Sequence, residues 1–416
     1  MRLRISRKIY SNRMGRLRDQ RWRKLQKHLA KSDYYKKKAL SDLSDFPKMD
    51  KSSFMKHFDQ INTVGIKLED AYTLAYEAEK SRDFSATING ITIGLSTGTS
   101  GNRGVFLASE NERAMWVGAI LDRVIGFSFK KRKVAFFLRA NSKLYEAVKS
   151  KVLAFHFFDI LNDLDDNLSK LNDLKPNLIV AQPSMLSLIA DAQTKGLVEL
   201  SPQKIISVAE VLTPEDTLKL ETIFNQTIHQ VYQCTEGFLA ATCKFGNLHF
   251  NEDFLIIEKA FINADKTKFH PIITDLSRRS QPVIRYELND IISVKETCPC
   301  ASKHMVIDQI EGRSDDVFLF NNADHKQVVI FPDLLRRTIV LADDKIQDYA
   351  LVQIGENRMK LYVRGENDSF EKAKVALSEF LVSKKINEIY IKKMIECPHQ
   401  MGDKKRRIKN EYQTSN

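Results

Sequence analysis

What most limits the folds open to this chain is a series of short, mostly apolar runs separated by helical patterns. "KVAFFLRA" (133–140), "NLIVAQ" (177–182), "KIISVAE" (204–210) and "HQVYQC" (229–234) lack the strict alternation of a strand with one wet face. Runs of that kind are expected of strands covered on both faces. Between the last two, "TPEDTLKLETIF" offers Thr213 as a helix N-cap, Pro214 at the first helical position, and Glu215 and Asp216 in the first turn. The result is a β-α-β unit, which calls for parallel strands with helices packed over the sheet. The expected class is α/β, with mostly parallel sheets and flanking helices.

The texture changes after residue 312. "YALVQI" and "MKLYVRG" flank "GENR" as a hairpin, "SFEKAKVALSEFLVSK" reads as a helix and "NEIYIKKM" as a further strand. We therefore expect a large N-terminal domain, 1–312, and a small C-terminal α+β domain, 313–416, divided near "IEGRSDDVF" (310–318). A chain of 416 residues with 43% hydrophobic content is too long for one compact domain, which agrees with that division. No apolar run reaches about 18 residues and no secretory signal opens the sequence, so a cytoplasmic protein with no transmembrane segment is expected. Five cysteines, Cys234, Cys243, Cys298, Cys300 and Cys397, form an uneven set that fits reduced thiols or metal ligands better than a disulfide framework.

The net charge of +12 is concentrated at one end. Residues 1–40 hold fifteen lysines and arginines against Asp19 and Asp33, so the rest of the chain is close to neutral. Within that segment Leu17, Trp22, Leu25 and Leu29 recur at roughly helical spacing, the pattern of an amphipathic helix with a basic remainder. Such a helix can simply dock with its charged face solvated. It can also meet an acidic protein, an anionic membrane surface or nucleic acid, since a basic field attracts all three. No aromatic-interleaved RNA motif or zinc-finger spacing supports specific nucleic-acid binding.

"LSTGTSGNRGVF" (95–106) brings three glycines and several hydroxyls into one loop between two apolar runs. Gly98, Gly101 and Gly104 allow close backbone approach to a ligand. Ser96, Thr97, Thr99 and Ser100 can surround phosphate oxygens. The Gly-Lys-Ser/Thr ending of a Walker A loop is absent, and Arg103 is the cation within the segment. By itself the segment is compatible with a plain surface turn.

The order of further segments gives it a context. "STGTSGNRG" resembles the phosphate-binding loop of the adenylate-forming superfamily, with Arg103 where that loop usually has lysine. "SVAE" (207–210) resembles the adenine-pocket segment, "VYQCTEG" (231–237) the Tyr-Gly-x-Thr-Glu motif, and "PVIRYELNDI" (282–291) the segment ending in the ribose-binding aspartate. "IEGRSDD" (310–316) resembles the hinge motif and "GDKKRRI" (402–408) the C-terminal lysine motif. "TEGFLAATCKFGNLHFNED" and "CPC" are most similar to phenylacetate-CoA ligases and their short CapK-like relatives.

The resemblance implies an enzyme that uses ATP and Mg2+ to convert a carboxylic acid to an acyl-adenylate. The acyl group then passes to the thiol of coenzyme A or of a carrier-protein phosphopantetheine. It implies that Ser96, Thr97, Gly98, Thr99, Ser100, Gly101 and Arg103 bind the β- and γ-phosphates, and that Ala209, Glu210 and Tyr232 border the adenine. Thr235 would contact the α-phosphate, Glu236 would hold magnesium, Asp290 would accept the ribose hydroxyls, and Arg313 would bind ribose or phosphate. Lys404, with Lys405 as competitor, would bridge carboxylate and α-phosphate until the small domain turns near Asp315. Phe155, His156, Phe157 and Phe238 are candidates for an acyl pocket suited to an aromatic acid, although phenylalanines in such a run also serve as core. Cys234 departs from the small residue usual before the threonine.

An acidic acyl carrier protein is a possible partner for the basic N-terminal segment, and the oligomeric state is open. Nitrogen acceptors, noncarboxylate substrates and a catalytically silent ATP-binding relative remain alternatives. Cys243, His249, Cys298 and Cys300, with His304 as a substitute, offer the ligand number and softness of a structural zinc site. Buried thiols beside a surface histidine are the alternative.

Overall fold

The structure, a computed structural model, describes residues 2–81, 83–96, 103–126, 130–138, 153–160, 162–300, 302–313, 316–322, 327–330, 332–398 and 406–412. The chain forms two compact units, Met1–Leu288 with Ser293–Gln309, and Asn289–Ile292 with Ile310–Asn416. The division falls inside the strands Asp290–Lys295 and Val306–Arg313.

In the larger unit the strands Leu153–Asp159, Arg132–Leu138, Leu178–Ala181, Lys204–Ser207 and Ile228–Cys234 lie side by side and parallel. Their apolar runs are continuous because alternate residues enter different cores. Val134, Phe136, Leu178, Val180 and Ile206 join the core that also holds Leu25 and Phe46. Ala135, Phe137, Ile179, Ala181 and Ile205 join the one beneath the helices Leu164–Leu174, Pro183–Thr194 and Pro214–Phe224. The last helix begins as its sequence directs, with Thr213 Oγ1 accepting from the Asp216 N–H at 3.1 Å and Pro214 in the first turn. At Cys234 the chain reverses, and Gly237–Thr242 runs back antiparallel to Ile228–Cys234.

Ahead of this sheet, Ile91–Leu95 and Val105–Ala108 pair antiparallel in a small three-stranded sheet that holds together the two ends of the glycine-rich segment. The basic N-terminal helix, Arg2–Leu29, docks through Leu25 and Leu29, both fully buried, and through Trp22. Arg21 adds an ion pair to the buried Asp253. Among the described residues no helix is long and apolar enough to cross a membrane.

The smaller unit has its own core, built on Leu351, Leu361, Leu377 and Leu381 among others. Asp348–Gly355 and Arg358–Arg364 form the antiparallel hairpin, Ser369–Ser383 the helix, and Tyr390–Lys393 a strand parallel to the second arm. Three elements go beyond the sequence pattern: the hairpin Phe318–Asn321 with Gln327–Ile330, the helix Pro332–Ala342, and the strand Ile408–Asn410 beside Asp348–Gly355. The last comes from the basic C-terminal stretch. There Ile408 is buried, Arg406 pairs with the buried Asp316, and Arg407 pairs with Asp348.

Candidate active site

Thr235 and Glu236 form the turn between two paired strands, and this turn aims their side chains into a cleft of the larger unit. The Glu236 carboxylate is held at both oxygens. Tyr286 Oη donates to Oε1 at 2.8 Å and Thr235 Oγ1 donates to Oε2 at 2.9 Å. Burial, and then the Glu236 charge, hold the Tyr286 hydroxyl well above its usual pKa, so it remains a donor. Its ring packs edge-on against Phe54 at 5.2 Å. Gly237 follows because space is short: a Cβ there would sit 3.2 Å from Oδ2 of the buried Asp275.

Lys51, Gly104, Thr235, Glu236, Arg278 and Tyr286 are among the residues lining the cleft. Arg278 Nη1 donates to the Thr235 carbonyl at 3.1 Å, and Nη2 to Gln281 Oε1 at 2.9 Å. Behind it, Glu112 accepts from Ser280 N and Oγ at 2.9 and 2.6 Å. Burial works against that carboxylate, but the Arg278 charge and the hydroxyls of Ser109 and Ser280 keep it below the usual range.

Lys51 reaches the cleft because the segment before it is stitched to the strand of Tyr286. Met49 N donates to the Arg285 carbonyl at 3.0 Å, and Glu287 N donates to the Met49 carbonyl at 2.8 Å. Lys51 Nζ then donates to Ser96 Oγ at 3.2 Å, and the Gly104 N–H donates to the same oxygen at 2.7 Å. Arg103 is engaged elsewhere. Its Nε donates to the Ser96 carbonyl at 2.9 Å and its Nη2 pairs with Glu79 at 2.5 Å, a contact that raises the guanidinium pKa further.

Thr97, Gly98, Thr99, Ser100, Gly101, Lys404, Lys405 and Asp315, with the side chain of Arg313, lie outside the described residues. Ala209 adopts φ +68°, a left-handed conformation that favours glycine, so the chain turns sharply just beyond the strand Lys204–Ser207. Glu210 accepts from Ser184 Oγ at 3.0 Å and so holds the start of the helix Pro183–Thr194. Tyr232 is half-buried against the main core. Phe155 and Phe157 are half-buried on one face of their strand, His156 is exposed on the other, and Phe238 is a core residue. Asp290 opens the strand Asp290–Lys295. Lys51, Arg278 and Tyr286 escaped the sequence reading. Lys51 and Arg278 stand in no marked segment, Tyr286 lies within "PVIRYELNDI" without being singled out there, and the fold brings all three to the cleft of Glu236.

A second cluster joins Cys243, His249, Cys298 and Cys300, whose donor atoms all lie within 4.8 Å of one another. Cys243 Sγ is 3.6 Å from Cys298 Sγ, and Cys300 Sγ is 3.4 Å from His249 Nε2. A tetrahedron with Zn–S of about 2.3 Å and Zn–N of about 2.0 Å has edges of about 3.8 and 3.5 Å, so these two distances fit such an ion. His249 Nδ1 lies 3.2 Å from the His304 carbonyl oxygen, and donating its N–H there leaves Nε2 facing the Cys300 sulfur. The Phe245 N–H and Asn247 Nδ2 donate to Cys243 and Cys298 at 3.4 and 3.2 Å. His304 turns its own Nδ1 to the Phe250 carbonyl at 2.8 Å and is not part of the cluster.

No family model matches the sequence, and no curated protein matches it. Solved structures do. A 2-hydroxyisobutyryl-CoA ligase, in the postadenylation state in complex with R3-HIB-AMP, aligns over 94% of this chain and 88% of its own, with a TM-score of 0.67 and 13% identity. The amide bond synthetase McbA from Marinactinospora thermotolerans aligns over 76% of this chain and 68% of its own, with a TM-score of 0.54 and 11% identity. ATP-bound MatB from Rhodopseudomonas palustris aligns over 74% and 65%, with a TM-score of 0.54 and 12% identity. The chain has the mixed α/β fold of these ligases, a large sheet-rich unit followed by a smaller one.

Proposed function

We propose that this protein activates a carboxylic acid by ATP-dependent adenylation, releasing pyrophosphate, and transfers the acyl group to an acceptor. One observation carries this reading: in a chain with the ligase fold, a carboxylate held by two hydroxyls and two cationic side chains, Lys51 and Arg278, line a single cleft. Phosphoryl chemistry of this kind needs charge stabilisation on phosphate oxygens and an in-line nucleophile more than it needs a covalent catalyst. Thr235 offers its hydroxyl toward the α-phosphate, and Ser96 and Gly104 border the leaving pyrophosphate.

Glu236 is the residue to hold Mg2+, a hard cation that takes carboxylate oxygen and would neutralise phosphate charge. Asp290 and Arg313 are assigned to the ribose, Ala209, Glu210 and Tyr232 to the adenine, and Lys404 of the smaller unit to the reacting carboxylate and α-phosphate. Coenzyme A or a carrier-protein thiol is the proposed acceptor, and Phe155 and Phe157 favour an aromatic acid. Because the same fold serves an amide bond synthetase, a nitrogen acceptor is the second reading. We assign the four-residue cysteine and histidine cluster to a structural Zn2+.

ATP–pyrophosphate exchange measured over a panel of carboxylic acids tests the first step. Exchange with at least one acid is expected. Follow-up with coenzyme A and with amines identifies the acceptor. ATP binding without exchange on any acid would instead mark a silent relative.

A further inference from the structure

We propose that Arg278 is a positioning residue: it fixes the strand leaving the glycine-rich segment to the Thr235–Glu236 turn, so that the phosphate and magnesium ends of the nucleotide site are set as one unit. This rests on the adenylation reading and adds a coupling to the same site. Val105–Ala108 belongs to the small three-stranded sheet, whereas Ile228–Cys234 and Gly237–Thr242, which flank the turn, belong to the large one. Pairing within either sheet therefore does not fix one piece against the other. Arg278 does, because its Nη1 donates to the Thr235 carbonyl at 3.1 Å and its Nη2 to the Leu107 carbonyl at 3.2 Å. A planar guanidinium carries these donors in a rigid fork, so the two carbonyls are held at a set separation.

A second observation is the buried Gln281 beside it. Its Oε1 accepts from the Leu107 N–H at 3.0 Å and from Arg278 Nη2 at 2.9 Å, while its Nε2 donates to the Val105 carbonyl at 3.0 Å. The amide thus takes the place of a neighbouring strand along 105–107. A third lies at the far end of the turn. Asp275 Oδ2 crowds Gly237, and Asp275 Oδ1 accepts from Ser277 N and Oγ at 2.8 and 2.5 Å. Residues 275–281 therefore border the turn at both ends and hold the hairpin strand along its edge. Their own backbone is anchored by Glu112, in the first turn of the helix Glu110–Ile120, which accepts from the Arg279 N–H at 2.6 Å and from Ser109 Oγ at 2.6 Å. The same carboxylate is a counter-charge to Arg278. Adenylation depends on phosphate and metal ligands keeping one geometry, and a shift of about 1 Å between them can cost about a hundredfold in rate.

The test is hydrogen–deuterium exchange on the full-length protein, read beside calorimetric titration of ATP at a series of Mg2+ concentrations. It compares the wild type with Arg278→Met, Arg278→Lys and Gln281→Met. Loss of hydrogen bonds from a charged donor predicts that Arg278→Met speeds exchange in both 105–108 and 234–237 by about tenfold, and raises the Mg2+ needed for half-maximal ATP binding by about tenfold. Arg278→Lys, which keeps the charge and can still donate to one carbonyl, should recover part of both. Gln281→Met, which leaves the guanidinium in place, should loosen 105–108 and shift the Mg2+ requirement in the same direction by less. A residue with only a structural role would lower the thermal midpoint and leave the Mg2+ requirement where it is. That result, or faster exchange in one segment while the other keeps its wild-type protection, overturns the proposal and leaves adenylation standing. Wild-type protein that binds no ATP at any Mg2+ concentration overturns the adenylation reading, while the exchange rates still decide whether Arg278 couples the two segments.

Discussion

Single side chains set the chemistry of the cleft, and Tyr286 shows how. Its ring is core and its hydroxyl is positioning, so Tyr286→Phe keeps the packing against Phe54 and removes one hydrogen bond to Glu236. A stability loss of ~1 kcal/mol is expected, with exchange slower by about tenfold because the carboxylate loses its orientation. Denaturant melts and ATP–pyrophosphate exchange on the same variant measure the two effects. His229 makes a different prediction. Burial, and then the charge of Lys204, lower it from 6.5 to about 4. Between those values the unfolded chain takes up a proton that the folded chain refuses, so this group costs stability as pH falls from about 6.5 toward 4. Thermal midpoints across that range should drop in the wild type, and His229→Gln should flatten the curve. Parallel profiles for the two proteins would exclude His229 as the cause.

At the scale of elements, the thiol and imidazole cluster matters most. It ties the turn after Gly237–Thr242 and the strand Leu248–Phe250 to the "CPC" turn that precedes Val306–Arg313. Protein purified without chelators should carry close to one zinc per chain. Cys298→Ser should lose the metal and lower the melting temperature, while a chelator reproduces both in the wild type. Metal analysis with no zinc would leave a cluster of thiols and a histidine and take nothing from the cleft at Glu236. Elements of this kind differ in how far the sequence announces them. Strands covered on both faces, and the helix capped by Thr213, declare themselves through local pattern. Ile408–Asn410 does not, because three residues preceded by two arginines look like a solvated tail until Asp316 and Asp348 take up the charges. The cysteines could be named from their residue types, but Lys51 could not. Its place at the cleft depends on the pairing of Met49 with residues 285–287, and no local pattern encodes a partner so far along the chain.

For the molecule as a whole, separate cores predict separate melting. The buried side chains of the smaller unit cluster among themselves, and Leu377 is fully buried there. Leu377→Ala should cost about 2–5 kcal/mol in that unit. Calorimetry of the full chain should show one transition moving down while the other stays, and a single transition shifting as a whole would mean the units unfold together. The stitch between Met49 and Tyr286 has a further consequence, in time rather than energy. A ribosome delivers Met49, Phe54 and Lys51 early and Tyr286 only after most of the larger unit has been made. At ~5–20 residues per second the interval is on the order of tens of seconds. Through all of it Met49 and Phe54, both buried at the end, wait without the strand that covers them. A nascent chain halted before residue 286 therefore carries Glu236 but lacks the tyrosine that holds its carboxylate, so the wall of the cleft closes only when synthesis has passed that point.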